Sequence, residues 1–316
     1  MKKALVTGAG GFVGGHLNEH LQAGGIEVFG LVHPQHSPKI SKFPKKVKIE
    51  KCDILKKEDL EKLLKGQKFD YVFHLAAFSS PPASFINPKE TLENNIIGQL
   101  NLLETLKKTS PDARVLIIGS AEEYGAVSTE NIPVGEDTPL APLSPYAVSK
   151  VAQDFLGLKY FLSEKLQIVR VRPFNHIGPG QSPAFVVPAF ASQIARLEKI
   201  GGGEMLVGNL NSWRDFTDVR DIVKAYLLAL TKGEPGEVYN IGSGKAYKIA
   251  DILKELISYA KVEIRIRQDK KLLRDKDIAK VYCDFSKFKK QTGWYPKISI
   301  SKTLFDTIDY ERKKLN

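Results

Sequence analysis

Cysteine is scarce, with only Cys52 and Cys283 in 316 residues. They stand far apart and form no Cys-x-x-Cys, so the sequence encodes neither a disulfide framework nor a thiolate metal site, and a reducing, cytoplasmic setting is expected. Long apolar runs are missing as well. A bilayer span needs roughly 20 apolar residues, whereas stretch 70–78, typical of the longest here, is interrupted by His74. We expect no membrane partner. The apolar run after Lys3 ends at Gly8 and reads as a mature start, too short for a signal peptide. Clusters of one charge sign are also absent, despite a net charge of +11. Residues 39–68 hold eleven lysines against five acids and residues 261–316 hold sixteen Lys or Arg against eight acids, but the signs interleave. Without alternating basic and aromatic residues or a nucleic-acid motif, these read as solvated faces, and no nucleic-acid partner is expected.

What is present is a globular balance of 42% apolar and 26% charged residues. Short β-rich runs at 4–6, 28–32, 47–49, 71–75 and 115–118 alternate with helical patterns at 12–21, 60–64 and 100–106. Strict alternation predicts βαβ units and a Rossmann-like, doubly wound α/β fold, whose ligand sits outside the carboxyl ends of a parallel sheet. After residue 171 the rhythm loosens, Gly and Pro become frequent and helices are expected to dominate.

Thr7-Gly8-Ala-Gly-Gly11-Phe12-Val13-Gly14 follows the first strand and opens the first helix. Gly8 permits the tight turn, Gly11 lets backbone approach a pyrophosphate, and Gly14 allows close helix packing, with the helix start at Phe12 and Val13 facing the phosphates. We therefore expect a dinucleotide-binding domain at 1–174 and a smaller, mainly substrate-binding lobe at 175–316, with some later segments returning to the first. An acid ending the second strand would hold an NAD ribose, but the strand ends Gly30-Leu-Val-His33-Pro34. A 2′-phosphate meets no repulsion there, and His33, His36 and Lys39 could welcome it, so NADP is expected ahead of NAD. His16-Leu-Asn-Glu-His20 matches a zinc-peptidase pattern. It lies on the helix committed to the cofactor and no third ligand segment is evident, so no metal is expected.

Ser144-Pro-Tyr146-Ala-Val-Ser-Lys150 begins a long helix with Tyr146 and Lys150 on one face. A free phenol titrates near about 10, and an adjacent ammonium is a means of lowering it for proton exchange. Ser120, within Gly119-Ser-Ala-Glu122-Glu-Tyr-Gly125, follows a central strand, where a hydroxyl can meet a reacting oxygen. Asp53 and Ile54 follow the third strand, and Leu75-Ala76-Ala77 ends the fourth. Together with the Gly-x-x-Gly-x-x-Gly spacing, these segments resemble the extended short-chain dehydrogenase/reductases that act on nucleotide sugars. The resemblance covers essentially the whole chain. It implies that Ser120, Tyr146 and Lys150 are catalytic, that Tyr146, Lys150, Asp53, Ile54, Leu75, Ala76 and Ala77 contact the cofactor, and that the chain forms a homodimer through the helices containing 100–106 and 147–161.

Finer segments narrow the resemblance: His74 to Ser80, Arg172 to Gln181, Phe185-Val186, Arg214 to Asp221 and Val238 to Gly244. These look like GDP-4-dehydro-6-deoxy-D-mannose reductases, with GDP-mannose 4,6-dehydratases next. The resemblance implies reduction of the 4-keto group of a GDP-4-dehydro-6-deoxyhexose, with GDP-D-rhamnose as a product it allows. Asn175 and the backbone near Val186 would touch this GDP-sugar, Arg214 and Arg274 would bind its diphosphate through paired donors, Asp277 would hold its ribose, and Glu122 would lie at the sugar. Asp275 stands where the family usually has Pro. A dehydratase needs an extra base, whose position Glu122 matches, and usually carries Thr where Ser120 stands. The reductases keep the Glu too, so Glu122 leaves both open. A UDP-sugar 4-epimerase fits segment 174–181 less well. A non-enzymatic cofactor sensor on this fold commonly loses the Tyr or Lys, and both are here.

Overall fold

In a computed structural model of the chain, which describes residues 1–36, 47–272 and 280–315, the first half is built from the expected alternation. Strands β1 (Lys3–Thr7), β2 (Glu27–Val32), β3 (Val47–Lys51), β4 (Tyr71–His74), β5 (Arg114–Ile118) and β6 (Gln167–Pro173) are joined through helices α1 (Phe12–Ala23), α2 (Lys57–Leu64), α3 (Pro81–Ile86), α4 (Pro88–Leu92), α5 (Gly98–Thr109) and α6 (Pro145–Glu164). Beyond them run β7 (Asn175–Ile177), α7 (Val186–Lys199), β8 (Gly203–Val207), β9 (Trp213–Arg214), β10 (Phe216–Asp218), α8 (Val219–Lys232), β11 (Val238–Ile241), β12 (Tyr247–Lys248), α9 (Ile249–Ser258), β13 (Ile264–Gln268), α10 (Ser286–Thr292) and α11 (Ile300–Leu315). Seven strands form one sheet in the order β11-β6-β5-β4-β1-β2-β3, and every pairing in it is parallel.

A parallel sheet covered on both faces asks for unbroken apolar runs, because successive side chains point to opposite sides and both sides are dry. Ala4, Leu5 and Val6 accordingly have no solvent exposure. Ala4 and Val6 join Phe73, Leu116 and Val169 under α1 and α8, where Leu17, Leu21, Ile222 and Tyr226 close the layer. Leu5, Val72, Val115 and Ile117 face the other way, onto Leu102, Leu103 and Leu106 of α5 and Tyr160 of α6.

Helices dominate the later part, as expected, but among the described residues it also contains three two-stranded pairs, β7 with β10, β9 with β12 and β8 with β13. Several of these strands have only two or three residues, too few for a period-two pattern to register. β11 crosses back to pair with β6. A separate core gathers Val187, Phe190 and Ile194 of α7, Ile252 and Leu256 of α9, and Leu304 and Ile308 of α11.

Candidate active site

Parallel pairing sets the carboxyl ends of β4, β1, β2 and β3 along one edge of the sheet. There the chain turns at Gly8 with φ +68°, and a Cβ on this residue would stand 2.9 Å from the Ala76 nitrogen. A Cβ on Gly14 would stand 2.3 Å from the Gly8 carbonyl oxygen. Gly11 is the N-cap of α1, and no side chain caps that helix start at Phe12 and Val13. Backbone N–H groups without a side-chain cap, on a turn packed too closely to admit a Cβ at Gly8 or Gly14, suit a pyrophosphate. Beyond β4, the amides of Leu75 and Ala76 are held by the carbonyl and hydroxyl oxygens of Thr7 at 3.2 and 3.1 Å, ahead of Ala77. At the other end of the edge His33 Nε2 lies 3.9 Å from the Asp53 carboxylate. Asn101 Nδ2 donates to the Ile54 carbonyl at 3.0 Å, which fixes the chain just after Asp53. Lys39 lies outside the described residues. His16 Nε2 is 2.9 Å from the Pro179 carbonyl oxygen, and burial together with Lys224 holds His20 below the usual imidazole range.

Helix α6 starts at Ser144, whose hydroxyl accepts from the Ala147 amide at 3.0 Å, with Pro145 in the first turn. This start aims Tyr146 and Lys150 at the sheet edge, where they are 8% and 4% exposed. The Lys150 ammonium donates to the Ile118 carbonyl and to Gln153 Oε1, both at 2.9 Å, and lies 5.8 Å from the centre of the Tyr146 ring. Burial pushes the phenol up, against a hydrogen bond from Ser120, and the carboxylates of Glu122 and Glu123 push it further. The expectation of a lowered phenol is therefore corrected: burial dominates, the nearby carboxylates add to it, and the Ser120 hydrogen bond only opposes it. Burial also brings Lys150 down to about 8, against the opposing pull of Glu123. A phenol that keeps its proton in a dry site, beside an ammonium and a hydroxyl, is arranged as a proton donor.

A buried ionic cluster stands behind this trio. Asp154, one turn after Lys150, accepts from Arg170 at 2.6 Å and from Arg172 at 2.8 and 2.6 Å. Glu123 Oε2 lies 3.1 Å from Arg172 Nε, while its Oε1 accepts from the Ser120 amide at 2.7 Å. Burial, and then Asp154, push Glu123 up to about 8. The cluster thus joins α6 to the turn that carries Ser120. Nothing in the spacing of Glu123, Asp154, Arg170 and Arg172 announces it.

On the far side of the cleft Glu122, Asn175, Arg214 and Asp215 line one narrow cavity. Asn175 enters it from β7, which is held in register against Phe216 of β10. Asp215 accepts from the Ser243 and Gly244 amides and the Ser243 hydroxyl at 2.6 to 2.9 Å, and from the Cys283 amide at 3.1 Å. Asp218 caps α8 and pairs with Arg220 at 2.7 Å. Sequence reasoning passed over Asp215 as a site residue; its only signal was adjacency to Arg214. Val186 opens α7 at 38% exposure and is not among the residues lining this cavity. Arg274 and Asp277 lie outside the described residues.

A family profile described as GDP-mannose 4,6 dehydratase matches residues 5–307. The chain is 36% identical over 304 residues to the GDP-6-deoxy-D-mannose reductase of Pseudomonas aeruginosa, covering 96% of this chain and 95% of the relative. Among solved structures, RMD from Pseudomonas aeruginosa complexed with NADPH is similar at a TM-score of 0.88 and 34% identity, over 99% of this chain and 100% of that one. The dTDP-glucose 4,6-dehydratase of Bacillus anthracis in complex with NAD is similar at a TM-score of 0.83 and 25% identity, over 99% and 97% of the two chains.

Proposed function

The chain belongs to the GDP-mannose 4,6-dehydratase family, and from that premise we propose that it reduces the 4-keto group of a GDP-4-dehydro-6-deoxyhexose, with GDP-D-rhamnose as product. The observation that carries this reading is the convergence of Ser120, Tyr146 and Lys150 beside the cavity of Glu122, Asn175 and Arg214, with a phenol held in its protonated form. When bound, the nicotinamide cofactor supplies a hydride to the ketone carbon. Tyr146 gives its proton to the developing alkoxide, and Ser120 hydrogen-bonds the same oxygen. Lys150 holds the cofactor ribose and offsets the charge left on the phenolate. Glu122 orients the sugar hydroxyls, Asn175 and the Val186 backbone hold the sugar nucleotide, Arg214 and Arg274 grip its diphosphate, and Asp277 its ribose.

Gly8, Gly11, Phe12, Val13, Gly14, Asp53, Ile54, Leu75, Ala76 and Ala77 form the cofactor side. Its 2′-phosphate end falls at His33, and the lack of an acid closing β2 favours NADP there. In this reading residues 1–174 serve the dinucleotide and 175–316 mainly the sugar nucleotide. Two copies pair through α6, which exposes Val148, Phe155 and Leu162 at 45%, 53% and 59%. Leu102, Leu103 and Leu106 of α5 are in the core. Two free, buried cysteines accord with the cytoplasm.

Glu122, beside the same cavity, favours a second reading as a dehydratase that takes GDP-mannose. Incubation with GDP-mannose, and separately with its 4-keto-6-deoxy derivative plus NADPH, followed by product NMR, separates the two. Stoichiometric NADPH oxidation with the keto sugar alone supports the reductase. Conversion of GDP-mannose to a 4-keto product without net oxidation replaces it with the dehydratase.

A further inference from the structure

The Lys150 ammonium meets no carboxylate at hydrogen-bond distance among its described contacts; its partners are a carbonyl and an amide. The amide belongs to Gln153, on the next turn of α6, and the chain of contacts does not end there. Gln153 Nε2 lies 3.4 Å from His74 Nε2, and His74 Nδ1 lies 2.9 Å from Thr7 Oγ1, which also accepts from the Ala76 amide at 3.1 Å. Lys150, Gln153, His74 and Thr7 are 4%, 1%, 3% and 0% exposed, so each polar atom depends on its neighbour.

The charged end fixes the direction of this chain. An ammonium can only donate, so Gln153 presents its oxygen to Lys150 and its NH₂ group to His74. His74 Nε2 must then accept, and its proton sits on Nδ1, donating to Thr7. Burial, and then the Lys150 charge, bring His74 down to about 3, so the ring stays neutral and the direction does not reverse near neutral pH. All three bonds point from the ammonium towards the glycine loop.

We propose that Gln153 and His74 are positioning residues for Lys150, tying its ammonium through a one-directional hydrogen-bond chain to Thr7 at the start of the cofactor cradle. The inference rests on the reading of Lys150 given above. Neutral partners are the point of the arrangement: they satisfy the ammonium's donors without cancelling its charge, which is left facing Tyr146. Among the described residues, the titratable groups that act on Lys150 or lie beside it are Tyr146 on its own helix, His74 from β4 and Glu123 from the turn after β5.

Two substitutions at one position push in opposite directions. Gln153→Glu places a carboxylate on the ammonium and should raise the Lys150 midpoint by about one pH unit or more. Gln153→Leu removes an acceptor from a buried cation and should lower it by a similar step. Lysine ¹³Cε NMR on the full chain, with the Lys150 signal identified by its loss in Lys150→Met, reads both without any substrate. Where either Gln153 variant fails to fold, His74→Leu, which frees Gln153 to turn away, and His74→Gln, which can accept and donate in line, carry the same test: the first should lower the midpoint and the second restore it. In turnover with NADPH and the keto sugar, Gln153→Leu should lower kcat about tenfold with KM near that of the wild type. The descending limb of the pH profile should move with the NMR midpoint. Midpoints that stay put, or that shift the same way in Gln153→Glu and Gln153→Leu, overturn the inference. A wild type that does not reduce the keto sugar overturns the proposed function instead, while the NMR titration still decides this point.

Discussion

Asp154→Asn keeps the shape of the buried cluster and removes its central charge. Asp154 is 1% exposed and accepts three hydrogen bonds from guanidinium groups. The amide leaves Arg170 and Arg172 buried without that counter-charge and turns one NH₂ group against their donors. Breaking a buried pair from one side costs about 3 to 5 kcal/mol. The remaining acid, Glu123, makes this loss depend on pH. Its carboxyl is raised from the ordinary 4.5 to about 8, so between those values the folded wild type holds a proton that the unfolded chain has released. The contribution of Glu123 to wild-type stability therefore falls as pH rises through that window, by up to about 1.4 kcal/mol per pH unit. Removing the Asp154 charge takes away its Coulombic push on Glu123 and alters the hydrogen bond between the two, leaving burial to hold Glu123 up. Glu123 then ionises earlier and partly balances the two arginines, so the variant's decline is shallower. The stability gap should be largest near pH 5 and should narrow by about 1 to 2 kcal/mol towards pH 8. Urea unfolding of both proteins at several pH values, followed by tryptophan fluorescence, measures it. A loss under about 1 kcal/mol, or a gap that widens as pH rises, would refute the electrostatic account of the cluster.

Tyr146→Phe keeps the buried ring and deletes the proton, so turnover should drop by about 10² or more with NADPH affinity nearly intact; titration of cofactor fluorescence alongside steady-state rates checks both halves. The wild type should use NADPH at least as well as NADH, and His33→Asp should shift preference to NADH through repulsion of the 2′-phosphate, which paired kcat/KM values for the two cofactors would reveal or deny. Glu122→Gln should lower reductase turnover only modestly. A collapse of about 10² to 10⁴ would mark Glu122 as a general base and favour the dehydratase.

The parts legible in the sequence are those whose physics is local. A glycine whose Cβ would strike the next loop, a Ser-Pro helix start and a tyrosine four residues from a lysine leave their marks within a few positions, and central strands such as β1 announce themselves by being apolar on both faces. The illegible parts are pairings across the fold. Asp154 and Arg172 look like ordinary helix and strand residues until β6 is laid beside α6. His74 reads as an interruption in an apolar run, and only the parallel register of β1 with β4, which sets Thr7 against His74, shows why a polar ring belongs there. The upward shift of Tyr146 is hidden from the sequence for a related reason: spacing places the ammonium near the phenol, but only the packed structure gives the depth of burial.

β11 has a consequence for how the chain is made. Synthesis delivers β1 to β6 in order, yet the strand that covers the outer edge of β6 follows only after β7 to β10 and α8 have been threaded. Until Val238–Ile241 leave the ribosome, β6 is an open edge, a row of backbone donors and acceptors available to any neighbouring chain. Domain-by-domain folding from the N-terminus is thus denied its final strand for part of translation, and the interval in which the nascent protein needs protection from its own copies is set by the length of the excursion that builds the second lobe.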